Sequence, residues 1–171
     1  TPTVIEPDTV PPVGDAIELD GVRIIRADTV DDAPVQALEA TRIAGKGKSG
    51  FLAQVRCATA AVAPTAAVAD DVRRALRAMR LFRPGAVGIA PHGWVRRADG
   101  WERFGTGANR ARHGGYRLTG NEAADLEIFS MALASGGARM PALDWAISRF
   151  DLGAERASLV EALSDYLLAL R

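Results

Sequence analysis

A single cysteine, Cys57, in a chain of 171 residues excludes an internal disulfide framework. It fits a reducing compartment, so a cytoplasmic location is expected. The only histidines are His92 and His113. With Cys57 they give no His-x3-His or Cys-x2-Cys spacing, so no metal site and no cofactor is expected. No apolar run approaches the roughly 20 residues that cross a bilayer. Thr1 to Val13 has neither the basic start nor the apolar centre of a signal peptide. A soluble protein with no membrane partner follows as the expectation. Aromatic residues make up 6% of the chain and alanine supplies much of its apolar fraction. A thin core is therefore expected, in one domain or in a domain with a small second part.

Charge is abundant but unevenly placed. The segment from Val72 to Arg117 holds eleven arginines, no lysine, and two acids, Asp99 and Glu102, for a net charge of +9. Residues 1–71 carry −5 and residues 118–171 carry −4, so the chain sums to zero. A block of one sign built only from arginine suits phosphate, an acidic partner, or the chain's own acidic flanks.

The local signals indicate an α+β fold, with short antiparallel strands and hairpins mixed with helices, followed by a C-terminal helical segment. Residues 1–15 are Pro-rich and aperiodic and are expected to be a flexible leader. Residues 16–118 form the α+β domain with the basic middle. Residues 119–171 form a helical segment packed on it. Ile17 to Arg26 flank Asp20-Gly21, a pair that tolerates the positive φ of a tight hairpin turn. Asp31 is a candidate cap for a short helix with Pro34 in its first turn and Val35 and Leu38 inward. Phe51, Ala53, Val55 and Cys57 alternate as in a half-buried strand.

Asp70 or Asp71 can cap a helix to Phe82 whose inner face is Val72, Ala75, Leu76 and Met79 and whose outer face is Arg73, Arg77 and Arg80. Ala86 to Ala90 is strand-like. Trp94 to Arg97 and Trp101 to Phe104 flank Ala98-Asp99-Gly100 as a second hairpin. Thr119 with Glu122, and Ser158 with Glu161, have the spacing of capping boxes. Pro141 suits the first turn of a helix with Leu143, Ala146, Ile147 and Phe150 on one face. The last helix keeps helical spacing at Val160, Leu163, Leu167 and Leu170 with no closing signal. It reads as the truncated end of a longer protein.

Three motifs bear on chemistry. Gly45-Lys46-Gly47-Lys48-Ser49-Gly50 departs from a phosphate-binding loop: Arg42 stands where the first glycine is required, and a helix precedes it where a strand is needed. No serine sits in a Gly-x-Ser-x-Gly turn, and no nucleophile and base occur at a familiar spacing, so the balance of the sequence is against an enzyme. Trp94, Trp101, Phe104 and Tyr116 interleave with Arg96, Arg97, Arg103 and Arg117. Such alternation can stack bases on aromatic rings while arginines hold the backbone.

Near the C-terminus, Ala146-Ile147-Ser148-Arg149-Phe150, Glu155-Arg156 and Asp165-Tyr166-Leu167-Leu168-Ala169-Leu170 together resemble the helical signature of HEPN domains of the ApeA-like type. Leu81 to Val87 is similar to a stretch that precedes such domains, and the chain as a whole resembles soluble proteins of actinobacterial type. Arg171 stands where the family has Glu. The family's catalytic Arg and His, four to six residues apart, have no counterpart here. The resemblance implies a bacterial helical bundle associated with RNA binding or cleavage, with the catalytic helix either beyond Arg171 or lost.

Two functions are therefore expected as alternatives. In the first, the protein binds RNA or another polyanion through Arg96, Arg97, Arg103, Arg110, Arg112, His113 and Arg117, with Trp94, Trp101 and Tyr116 stacking on bases. In the second, it is a non-enzymatic scaffold or regulatory module whose basic middle pairs with an acidic protein surface, in a partner or in a second copy.

Overall fold

A computed structural model describes residues 4–5, 16–41, 50–56, 65–83, 85, 87–107, 115–116, 118–137, 140–156 and 158–171. It begins from a hairpin. Asp20 and Gly21 take φ of 48° and 80°, the left-handed pair that joins β2 (Ala16–Leu19) to β3 (Val22–Arg26). The register runs Ala16 against Ile25 to Leu19 against Val22. β4 (Phe51–Val55) adds to the far side of β3, so the sheet order is β2-β3-β4, all antiparallel. A 3-10 turn at Ala27–Thr29 and α1 (Val35–Thr41) follow β3. In α1 it is Ala37 that is buried, whereas Val35, expected inward, is 64% exposed.

Two helices complete the core. α2 spans Thr65–Phe82 and α3 spans Gly120–Gly137. α2 starts five residues before the expected Asp70 cap, because Ala66, Ala67 and Ala69 extend the helix at little cost. Asp70 and Asp71 lie instead inside the helix, as partners of Arg73 and Arg74 three residues on. Ile17, Leu19, Val22 and Ile24 of the sheet pack with Val72, Ala75, Leu76 and Met79 of α2 and with Ala123 and Leu126 of α3. The core thus runs across the position near Thr119 where the helical segment was expected to begin. Thr119 closes its capping box: its amide donates to Glu122 Oε2 at 2.8 Å and its hydroxyl accepts from the Glu122 amide at 3.4 Å.

Within the expected leader, β1 (Val4–Ile5) pairs in parallel with β7 (Gly115–Tyr116). The strand-like run at 86–90 is not a strand at 87–90, where the Val87 carbonyl accepts a hydrogen bond from Arg80 Nε at 3.0 Å. The Gly-Lys loop at 45–49, Cys57 and the basic stretch 108–114 lie outside the described residues.

α4 (Pro141–Glu155) and α5 (Leu159–Ala169) form a helical hairpin, with Pro141 in the first turn as expected. The helices approach closely at Gly153, where a Cβ would stand 2.6 Å from the Tyr166 ring and 3.1 Å from the Ala162 carbonyl. Phe150 and Tyr166 meet at 5.5 Å between ring centres. Ser158 holds the N-cap position in extended backbone but makes no side-chain capping bond, so the second capping box is not closed. The hairpin is tied instead by Asp165, whose carboxylate accepts from Arg156 at 2.9 Å and from Arg149 at 3.3 Å. The bond from Arg156 holds the Asp165 carboxyl below its usual range, against the opposing effect of burial.

A carboxyl whose folded pKa is depressed stabilises the fold above its unfolded pKa, and that contribution disappears as pH falls through the folded value. Stability is expected to fall from about pH 5 downward, below the ordinary carboxylate range. In Asp165→Asn the loss over the same interval should be shallower, which urea midpoints measured across that range will check.

Candidate nucleic-acid interface

The basic segment divides in two. Its first part lies on α2, where Arg73, Arg77 and Arg80 fall on one face at spacings of four and three. None of these three points at an unpaired surface. Arg73 donates to Asp70 and to the Thr106 carbonyl. Arg77 reaches Asp151 at 2.5 Å and Asp144 at 3.9 Å. Arg80, with a side chain only 6% exposed, donates to the Val87 carbonyl, to Asp151 at 3.2 Å and to Glu155 at 3.5 Å. Beside this row Arg83 holds Glu122 at 2.8 Å, and Arg74 holds Asp71 and Asp20. The acids come from both flanks, and Asp144, Asp151 and Glu155 lie on one face of α4. The arginines of the basic helix are therefore engaged within the chain, in a shared cluster of Arg77 and Arg80 with Asp151 and Glu155 and in separate, more exposed pairs around it.

These acids were not singled out in the sequence, yet a signal was there. Asp144, Asp151 and Glu155 are seven and four residues apart, the spacing of one helical stripe, and they match the arginine row in pitch.

The second part of the basic segment forms β5 (His92–Arg97) and β6 (Gly100–Gly105), an antiparallel hairpin. Its register sets Trp94 opposite Arg103 and Arg96 opposite Trp101. Opposed residues share a face and side chains alternate along each strand, so His92, Trp94, Arg96, Trp101 and Arg103 all project to one side. Arg97, expected to join them, projects to the other side with Glu102, its partner at 2.9 Å. Phe104 is also on that side and lies over Gly93. The hairpin is fixed at its base. Thr106 is buried, donates from its amide to Pro91 at 3.0 Å and from its hydroxyl to Ala90 at 2.6 Å, and accepts from Arg73 of α2.

On the shared face, the Arg96 guanidinium stands 5.8 Å from the Trp101 ring centre. Trp101 is 41% exposed, and Trp94 is half-buried. Arg103 lies 3.3 Å from His92 Nε2. Arg96 also pairs with Asp32, and both side chains are more than half exposed.

Tyr116 is a correction to the expected stacking set. It is fully buried in the core, where its hydroxyl donates to the Met79 carbonyl at 2.8 Å and burial pushes its pKa up to about 12. No ring face is left for a base. Its bulk and its one polar atom suit an interior site where β7 packs against α2. Arg110, Arg112, His113 and Arg117 lie outside the described residues. Among the described residues no three His, Cys, Asp or Glu side chains are grouped as a metal ion requires, and no helix is long and apolar enough to cross a membrane.

Removing Asp151 leaves Arg77 and the buried Arg80 short of their shared acid. Asp151→Ala is expected to cost about 3 kcal/mol, as when one partner of a buried pair is deleted. Arg74→Ala, at an exposed pair, should cost less than about 1 kcal/mol. Urea unfolding of both variants at unchanged m-value distinguishes a structural arginine row from a merely solvated one.

No protein-family model, no curated protein and no solved structure matches the chain.

Proposed function

We propose that the protein binds single-stranded nucleic acid, RNA in the first instance, through the exposed face of the β5–β6 hairpin. The reading is narrower than the whole basic segment, because the α2 arginines are already engaged within the chain. The observation that carries it is the crossed pairing of Trp94 with Arg103 and of Arg96 with Trp101 on one side of a two-stranded hairpin. An indole stacks on any base, and a guanidinium fork takes the neighbouring phosphate. Arg96 is already held against Trp101, so less side-chain freedom is lost on binding. Its exchange of Asp32 for a phosphate costs little, since exposed pairs contribute about 0–1 kcal/mol.

Magnitudes set the kind of binding. Two arginines that each neutralise a phosphate on a single strand give a salt slope of about −1.4. A fourfold rise in salt then weakens binding only about sevenfold. This is a weak, sequence-tolerant contact in which the indoles supply a large share of the affinity.

The second reading is a scaffold whose basic middle engages acidic protein surfaces. One observation favours it: the α2 arginines already make such a surface contact with the acidic stripe of α4 inside the chain.

The test of the first reading is fluorescence anisotropy of a labelled single-stranded RNA at several salt concentrations. Trp101→Ala should weaken binding by about 5- to 150-fold, the equivalent of about 1–3 kcal/mol for one stacked base. The Arg96→Ala/Arg103→Ala variant should flatten the salt slope by about 1.4. Arg97→Ala, on the opposite side, should bind within about twofold of the unaltered protein. Equal binding by all variants, or no binding even at low salt, would overturn the reading.

A further inference from the structure

The C-terminal helix α5 is apolar on two sides. One side is used: Ala162 and Asp165 are buried, and Tyr166 packs on Phe150 and Gly153 of α4. The other side carries Leu159, Val160, Leu163, Leu167 and Leu170, which are 75%, 75%, 57%, 58% and 85% exposed. Five large aliphatic side chains on an 11-residue helix and its cap, all more than half exposed, are not an ordinary solvated face.

Their order is specific. Val160, Leu163, Leu167 and Leu170 are spaced three, four and three, the alternation of a coiled-coil seam. With Val160 at the first seam position, the positions that border the seam are Leu159, Ser164, Tyr166 and Arg171, so its margins hold one charged side chain. The helix's two acids fall elsewhere: Asp165 is turned inward to Arg149 and Arg156, and Glu161 lies off the seam.

We infer that this seam is the contact between two copies of the chain, which pair α5 against α5 about a twofold axis. An aliphatic seam whose margins hold a single charged side chain, Arg171, has little to select a different partner, and it is complementary to itself. The area agrees with a dimer. Exposed aliphatic side chains of this kind offer roughly 90 Å² each, so five give about 450 Å² of apolar surface per copy. A standard interface takes about 800 Å² from each partner, somewhat more than half of it apolar. Two helical hairpins joined in this way make a four-helix arrangement, with α4 on the outer side of each α5. The inference does not rest on the nucleic-acid reading, which concerns β5 and β6.

Its cause is apolar, and this separates it from association through the basic segment. Salt weakens an ionic contact between surfaces but not burial of leucine. The experiment is sedimentation velocity of the 171-residue chain from about 1 to about 200 µM, at low and at high salt, beside Leu163→Glu/Leu167→Glu. The expected result is a monomer–dimer equilibrium in the micromolar range that persists at high salt. The double variant should stay monomeric at the highest concentration, with an unchanged circular dichroism spectrum, since both side chains are exposed in the single chain. A chain that is monomeric throughout, a dimer that dissociates with salt, or one indifferent to the two substitutions would each overturn the inference. Binding of RNA is unaffected by any of these outcomes, so the two proposals fail separately.

Discussion

The joint between Arg77 and Arg80 of α2 and Asp151 and Glu155 of α4 is the constraint on which the C-terminal half depends. The apolar core is made by the three-stranded sheet, α2 and α3, and the buried cluster includes no residue of α4 or α5. The α4–α5 hairpin meets the body through these ion pairs, with Ile147 of α4 buried beside them as an apolar contribution outside the main cluster. A buried guanidinium is tolerated only when its donors are met. Among the described residues Arg80 has partners for three of its five donors, a backbone carbonyl on Nε and two carboxylates at Nη1. The opposite charges of the middle and the tail are thus a folding device.

This changes what the basic segment has to offer a partner. Arginines that look equivalent along the sequence fall into different environments. Arg73, Arg77 and Arg80 fasten α2 to the hairpin base and to α4. Arg97 is paired across its own hairpin with Glu102. Arg96 and Arg103 remain on a face shared with two tryptophans. Within the described part of the basic segment, positive charge set beside an exposed aromatic ring centres on that last pair, with Arg96 also in an exposed contact with Asp32. The described part of the segment thus presents two arginines beside two tryptophans on one hairpin face.

Much of the local architecture was legible. Asp20-Gly21, the Thr119–Glu122 box and Pro141 each carry a backbone requirement that few residues meet, and each is found where the sequence indicates. The alternation from Trp94 to Phe104 indicates the second hairpin, although placing Arg97 with Arg96 in one binding set overlooked the period of two in a strand. What was not legible depends on distant residues. Tyr116 has the same local setting as a stacking residue, and only the enclosing α2 makes it core. The start of α2 was hidden because alanines extend a helix without any capping signal. The role of the arginine row needed α4 beside α2, a pairing no local pattern states, even though the spacing of Asp144, Asp151 and Glu155 matches it.

The claim that the charged middle serves the chain's own fold is tested most directly by a double-mutant cycle between Arg80 and Asp151, using Arg80→Gln, Asp151→Asn and the pair, with stability from urea unfolding. The account predicts a coupling energy of about 1–3 kcal/mol that persists in high salt, because Arg80 is shielded from solvent. Additivity to within about 0.5 kcal/mol would contradict it and return these arginines to the surface as groups available for a partner.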